Sequence, residues 1–198
     1  MISADRFVAR KDEDFDGWLN ARRYGVTATQ VSNASTPAGF EKTAAEFLVE
    51  WREPDNAYMK FGRAWESHIA DFVEVEFDVH PNEWLIAGEN RKHLATPDGL
   101  SKNHEWIGEY KTTGKDWLIV DKMPIRYRRQ VQWQLHVTGA ERCVVAWLLR
   151  EEVDGDFVLP GLNLRRELWN GMRNSFRIWL QQRIVCGGSW KERKSDGG

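Results

Sequence analysis

The chain has 198 residues, 30 of them acidic and 28 basic, for a formal net charge of -2. That is the size of one domain, able to bury a core without disulfide or metal staples, and Cys143 and Cys186 are too few for a disulfide framework or a four-cysteine zinc or iron–sulfur site. No apolar run nears the roughly 20 residues of a membrane helix, and MISADRFVARKDEDF has no secretion-signal core, so a cytoplasmic setting is expected.

Residues 14–24 read as a helix, and a short second helix starts near Thr27 or Thr29, both good caps. A third is expected over 43–53, stopped by Pro54. The fourth, 57–77, carries Phe61, Trp65, Ile69, Phe72 and Val73 on one stripe. Strands follow at 84–88, 93–97 and 106–113, with turn signals between them. Pro124 opens a helix to about Val137, ended by Gly139. RCVVAWLLREEV (142–153) reads as one long strand, with FVLP (157–160) returning across Asp154-Gly155. Residues 163–185 read as a closing amphipathic helix with Leu164, Leu168, Met172, Phe176, Trp179 and Leu180 near one face. The order predicts an α/β or α+β sandwich with a mixed sheet between helices. No glycine-rich βα turn or phosphate loop is present. One domain over 1–190 is expected, with 191–198 a polar, frayed tail.

The strongest chemical signal is Thr96-Pro97-Asp98-Gly99-Leu100 followed by Gly108-Glu109-Tyr110-Lys111. Strand alternation puts Ile107, Glu109 and Lys111 on one face and Trp106 and Tyr110 on the other. An antiparallel hairpin would bring Asp98 beside Glu109. Two hard carboxylates so placed suit Mg²⁺, with an ammonium to position water or meet phosphate charge. The plainer reading is a turn at Asp98-Gly99 and an exposed ion pair.

Glu66 lies four residues after Gly62 on the long helix, where a glycine lets another backbone approach; a solvated glutamate fits as well. On helix 124–137, phase puts Gln130 and Gln134 on the inner arc and Arg128, Arg129, Gln132 and His136 on the outer one. Gln130 is better placed than Gln132 to reach a site, or is a core amide satisfied by backbone. In Arg22-Arg23-Tyr24-Gly25-Val26-Thr27-Ala28-Thr29, a helix start with arginine and hydroxyls makes an anion cradle or a plain cap. Residues 1–100 hold 11 basic and 18 acidic side chains, and 101–198 hold 17 and 12. A half of net -7 and a half of net +5 suit cations in one part and phosphates in the other, or reflect uneven surface charge. A zinc site of His93, Asp98 and His104 matches no known zinc spacing.

RRYGVTAT, FGRAWESHIADF, LATPDGL, GEYK and YRRQVQWQLHVTG, in that order over about residues 15–150, resemble the YqaJ/lambda-exonuclease group of PD-(D/E)xK nucleases. The resemblance implies a restriction-endonuclease-like core, a mixed central sheet flanked by helices. It implies that Asp98, Glu109 and Glu66 bind metal with the main-chain carbonyl of Tyr110, and that Lys111 acts on the attacking water. Gln130 would support the site, and Arg22 and Thr29 would bind a 5′-terminal phosphate, with Arg23 or Thr27 sharing the task. It also implies a Mg²⁺- or Mn²⁺-dependent 5′→3′ exonuclease on double-stranded DNA with free ends. Its setting would be phage-type recombination in a host cytoplasm, with a single-strand annealing protein as partner and a trimer as assembly. An endonuclease of the same fold and a non-catalytic DNA-binding module are the alternatives.

Overall fold

The structure, a computed structural model, describes residues 1–48, 56–117, 122–153, 156–158 and 176–182. β1 (Phe7–Arg10) leads into α1 (Phe15–Arg22), whose start is capped by Asp14, its carboxylate accepting from Gly17 N at 2.9 Å. β2 (Val26–Thr27) runs into α2 (Ala28–Asn33), opened by a capping box of Thr27 and Gln30. α3 spans Pro37–Leu48 and starts six residues before the expected 43. The Thr36 hydroxyl accepts from Gly39 N at 3.1 Å and Pro37 takes the first helical position, where its missing N–H costs nothing. The expected end near Pro54 lies outside the described residues. α4 (Ala57–Phe77) has the expected bounds.

Eight further strands follow in the described residues up to Val158: β3 (Val79–Pro81), β4 (Trp84–Ala87), β5 (His93–Ala95), β6 (Gly99–Ser101), β7 (Trp106–Thr113), β8 (Arg142–Leu149), and then the pair β9 (Glu151–Val153) and β10 (Asp156–Val158). α5 (Ile125–Thr138) joins β7 to β8 and ends at Gly139, whose φ of 76° is left-handed. The predicted single strand 142–153 breaks at Arg150: β8 is buried in the central sheet, while β9 is exposed and pairs only with β10. β11 (Phe176–Gln182) corrects the predicted closing helix: this segment is a strand antiparallel to β8 along its whole length. FRIWLQQ alternates bulky apolar with other residues as well as it fits a helical stripe. A buried strand such as β8 needs an in-plane partner on each side for its backbone groups. Leu164, Leu168 and Met172 lie outside the described residues.

The central sheet has the order β11-β8-β7-β6-β3, with β7 and β8 parallel and the other pairs antiparallel. β8 shows how it is buried on both faces. Val144, Ala146 and Leu148 pack with Ile69 and Val73 of α4, while Cys143, Val145 and Trp147 pack with Val131 and Leu135 of α5. A smaller sheet, β1-β4-β5-β2, packs Leu85, Ala87 and Leu94 against Trp18 of α1. The two sheets with their flanking helices form a mixed α/β core, as expected. No helix among the described residues is long and apolar enough to cross a membrane.

Candidate active site

The site is built on the β6–β7 hairpin. Gly99 pairs with Gly108, and Asp98 immediately precedes β6, its N–H donating to Gly108 O at 2.9 Å. So Asp98-Gly99 opens a strand, and the turn lies beyond Ser101. Asn82 fixes the approach: its side chain donates to Pro97 O at 2.9 Å and Trp84 O at 3.1 Å, and its N–H donates to Asp98 O at 3.0 Å. β6 begins at Gly99, so no strand residue pairs with Tyr110 on that edge. Asp98 fills the place, its Oδ2 accepting from Tyr110 N at 2.6 Å. A residue's C=O leaves a strand on the same side as its N–H, so the Tyr110 carbonyl also heads for this edge.

Glu109 points to the opposite face from Tyr110 and is 1% exposed. Its Oε2 accepts from Gln134 Nε2 at 2.8 Å, and its Oε1 meets the Lys111 ammonium. Lys111 also lies 5.5 Å from the ring centre of Tyr127, over which the Arg126 guanidinium sits at 4.6 Å. Burial, then the charge of Glu109, push Asp98 well above the ordinary carboxylate range, against the pull of Lys111 and the Tyr110 N–H. Burial works to lower Lys111, but Glu109 and Asp98 outweigh it and hold the amine above its ordinary value. The two carboxylates thus favour the ammonium form of Lys111.

The structure thus brings Asp98, Glu109 and Lys111 together. Glu66 stands exposed on α4, and its charge reaches Asp98 and Tyr110. Among the described residues, no three His, Cys, Asp or Glu gather closely enough in this arrangement to hold a metal. The expected close approach at Gly62 is an ordinary one: an added Cβ would sit 3.6 Å from Thr112 Oγ1. The candidate zinc set does not gather either. His93 Nδ1 meets His136 Nε2 at 3.3 Å, while His104 Nδ1 accepts from Ile2 N at 2.9 Å.

Gln134, and not Gln130, reaches Glu109; Gln130 is half-buried one turn earlier. The arc expected to face solvent is partly covered, because α2 packs on it: Ser32 Oγ donates to Arg126 O at 2.6 Å and Arg129 donates to Ser35 Oγ. Arg128 and Arg129 are half-buried there.

The RRYGVTAT segment sits beside the route to Asp98, since β2 runs parallel to β5 with Thr27 opposite Leu94. Its hydroxyls part company. Thr27 is buried and donates to Gln30 Oε1 at 2.9 Å, while Thr29 is exposed in the first turn of α2. Arg22 stacks on Trp18 at 4.4 Å, and burial lowers its pKa; Arg23 is exposed. Tyr127 and Asn82 went unforeseen. Tyr127 shares the inner arc of α5 with Gln134, seven residues on, and that phase was the signal that could have found it. Asn82 acts through backbone carbonyls that no sequence pattern announces.

Three solved structures share this fold. The alkaline exonuclease LHK-Exo from Laribacter hongkongensis is 23% identical, with a TM-score of 0.62 over 85% of this chain and 82% of that one. LHK-Exo in complex with dAMP gives 22% and 0.61 over 85% and 83%. A phage-related exonuclease from Haemophilus somnus 129PT gives 14% and 0.58 over 81% and 85%. Comparison with curated proteins returns no match. The YqaJ-like viral recombinase domain matches residues 17–141, a span that holds most of α1, the β6–β7 hairpin and all of α5. With that match over more than half its length, the chain belongs to the YqaJ-like viral recombinase family.

Proposed function

We propose that this protein is a Mg²⁺-dependent deoxyribonuclease, a 5′→3′ exonuclease on double-stranded DNA with free ends. Mn²⁺ would substitute for Mg²⁺, and the enzyme would work in phage-type recombination beside a single-strand annealing protein. The observation that carries this is one hairpin presenting Asp98, Glu109 and Lys111 at a half-buried edge. Two carboxylates stand against one ammonium, and burial first, then the charge of Glu109, drive Asp98 upward. Hard oxygen donors in that state fit a divalent cation that keeps several waters. Asp98, Glu109 and the Tyr110 carbonyl would hold it, with Glu66 as a further carboxylate from α4. When bound, such a cation neutralises phosphate charge and eases loss of a proton from water.

The chain's own residues supply the rest. Hydrolysis places a water oxygen on phosphorus and breaks one P–O ester bond. The Lys111 ammonium donates to the oxygen on which charge grows, in a site partly shielded from solvent. Gln134 and the Tyr110 N–H keep Glu109 and Asp98 in place. Arg22, Arg23 and Thr29 offer charge and a hydroxyl to a terminal phosphate, with Thr27 ordering the turn between them. End-labelled linear duplex with Mg²⁺ tests the reading. Lys111→Ala and Asp98→Ala are each expected to slow digestion by about 10²–10³-fold, and a covalently closed circle should stay intact. Variants that digest as fast as wild type would sink the nuclease reading. A nicked circle would convert it to the endonuclease of the same fold.

A further inference from the structure

Gln134 is a polar inclusion in an apolar layer. It is 1% exposed on α5, whose Val131 and Leu135 belong to the apolar cluster that also holds Ile107, Cys143 and Val145. A buried amide needs partners for both ends, yet Gln134 Oε1 has no hydrogen-bond partner. Its placement is therefore explained by the other end, where Nε2 donates to Glu109 Oε2 at 2.8 Å. A carboxylate as buried as Glu109 is stable as an anion only when donors meet its oxygens. Lys111 meets Oε1, and Gln134 meets Oε2.

We propose that Gln134 is a positioning residue for the cation site: it holds Glu109 Oε2 toward α5, so that Oε1 stays turned to Lys111 and to an incoming divalent cation. The inference rests on the reading of Asp98 and Glu109 as cation ligands. Gln134 itself touches neither cation nor substrate. Without the amide, Lys111 is left as the donor for both oxygens of Glu109. Carboxylate and ammonium then close on each other, and a cation has to break that pair before it can bind. The role falls to Gln134 and not to Gln130, because only Gln134 lies deep enough under β7 to meet Glu109.

Calorimetric titration of the full chain with Mn²⁺ tests this directly. Gln134→Met keeps the side-chain length and removes the donor, and Gln134→Leu gives a second apolar replacement with its own melting curve as a folding control. Both are expected to weaken Mn²⁺ binding by about 10–100-fold, the usual cost of losing a ligand's orienting partner. Their cleavage rate should recover at high Mn²⁺, with KM for DNA unchanged, a pattern that a damaged core does not give. If a folded variant binds Mn²⁺ within about twofold of wild type while Asp98→Ala abolishes binding, the Gln134 role is overturned and the nuclease reading survives. If Asp98→Ala binds Mn²⁺ like wild type, the cation-site reading fails and takes the Gln134 role with it.

Discussion

Asp98 sits half-buried beside the Glu109 charge, and both influences raise its pKa in the folded chain above the ordinary value near 4. The folded state then binds more protons than the unfolded state between that ordinary value and the raised one. Stability therefore falls as pH rises through this window and is unaffected by Asp98 below it. Asp98→Asn keeps an oxygen for the Tyr110 N–H and carries no charge. Metal-free Asp98→Asn should melt higher than wild type at pH 7, and the gap should vanish as pH drops to the ordinary carboxylate range. A melting temperature that is equal at both pH values would mean that the carboxylate is not strained. Strand alternation made Asp98, Glu109 and Lys111 legible, because their grouping depends only on a period of two and one hairpin. Gln130 and Gln134 were not separable in the same way. They lie one turn apart on one arc, and which of them reaches Glu109 depends on how deep α5 lies against β7.

At the level of elements, the hairpin is shaped by two facing glycines. A Cβ at Gly99 would lie 2.4 Å from Tyr110 Oη and 2.8 Å from Val79 Cγ1, and one at Gly108 would lie 2.7–2.9 Å from the Tyr110 ring. The Tyr110 side chain thus lies across both glycines, its buried hydroxyl without a hydrogen-bond partner. Gly99→Ala is expected to cost about 1–3 kcal/mol of stability through overpacking. In a Tyr110→Phe background the cost should shrink, because the nearest clashing atom is gone, and urea denaturation of the double-mutant cycle reads the coupling. Equal costs in both backgrounds would show that Val79 alone sets the limit. The elements themselves were unevenly legible. α4 and α5 carry long stripes with clear stops at Asp78 and Gly139, both left-handed. α3 starts before the expected residue 43 because Thr36-Pro37 is itself a start signal. β11 is ambiguous in sequence because Phe176, Trp179 and Leu180 fit the helical period while Phe176, Ile178 and Leu180 fit the strand period. Only the unpaired edge of β8, a tertiary fact, decides between them.

Across the whole molecule, the acidic and basic halves of the sequence do not stay apart. β7, from the second half, lies between β6 and β8, so Asp98 from one half meets Glu109 and Lys111 from the other. Folding turns a charge split along the chain into a mixed cluster at one hairpin, which composition alone does not reveal. Arg6 ties the smaller sheet to α5. Its Nε donates to Ala87 O at 2.7 Å, at the end of β4, and its Nη2 donates to Val137 O near the end of α5. Trp133 Nε1, donating to Leu94 O at 3.0 Å, adds a second tie between α5 and the smaller sheet. A guanidinium reaches two carbonyls at once with a fixed fork, which an ammonium does not reproduce. Arg6→Ala should therefore cost about 2–3 kcal/mol, in the range of hydrogen bonds from a charged donor, and Arg6→Lys should restore little of it. Chemical denaturation measures both. A loss under about 0.5 kcal/mol, the size of an ordinary surface change, would mean that the sheets are fixed by apolar packing alone. If the larger loss is found, α5 is anchored at its far end by Arg6 while Gln134, one turn before, grips Glu109. The smaller sheet then contributes to the site through the helix that it holds in place.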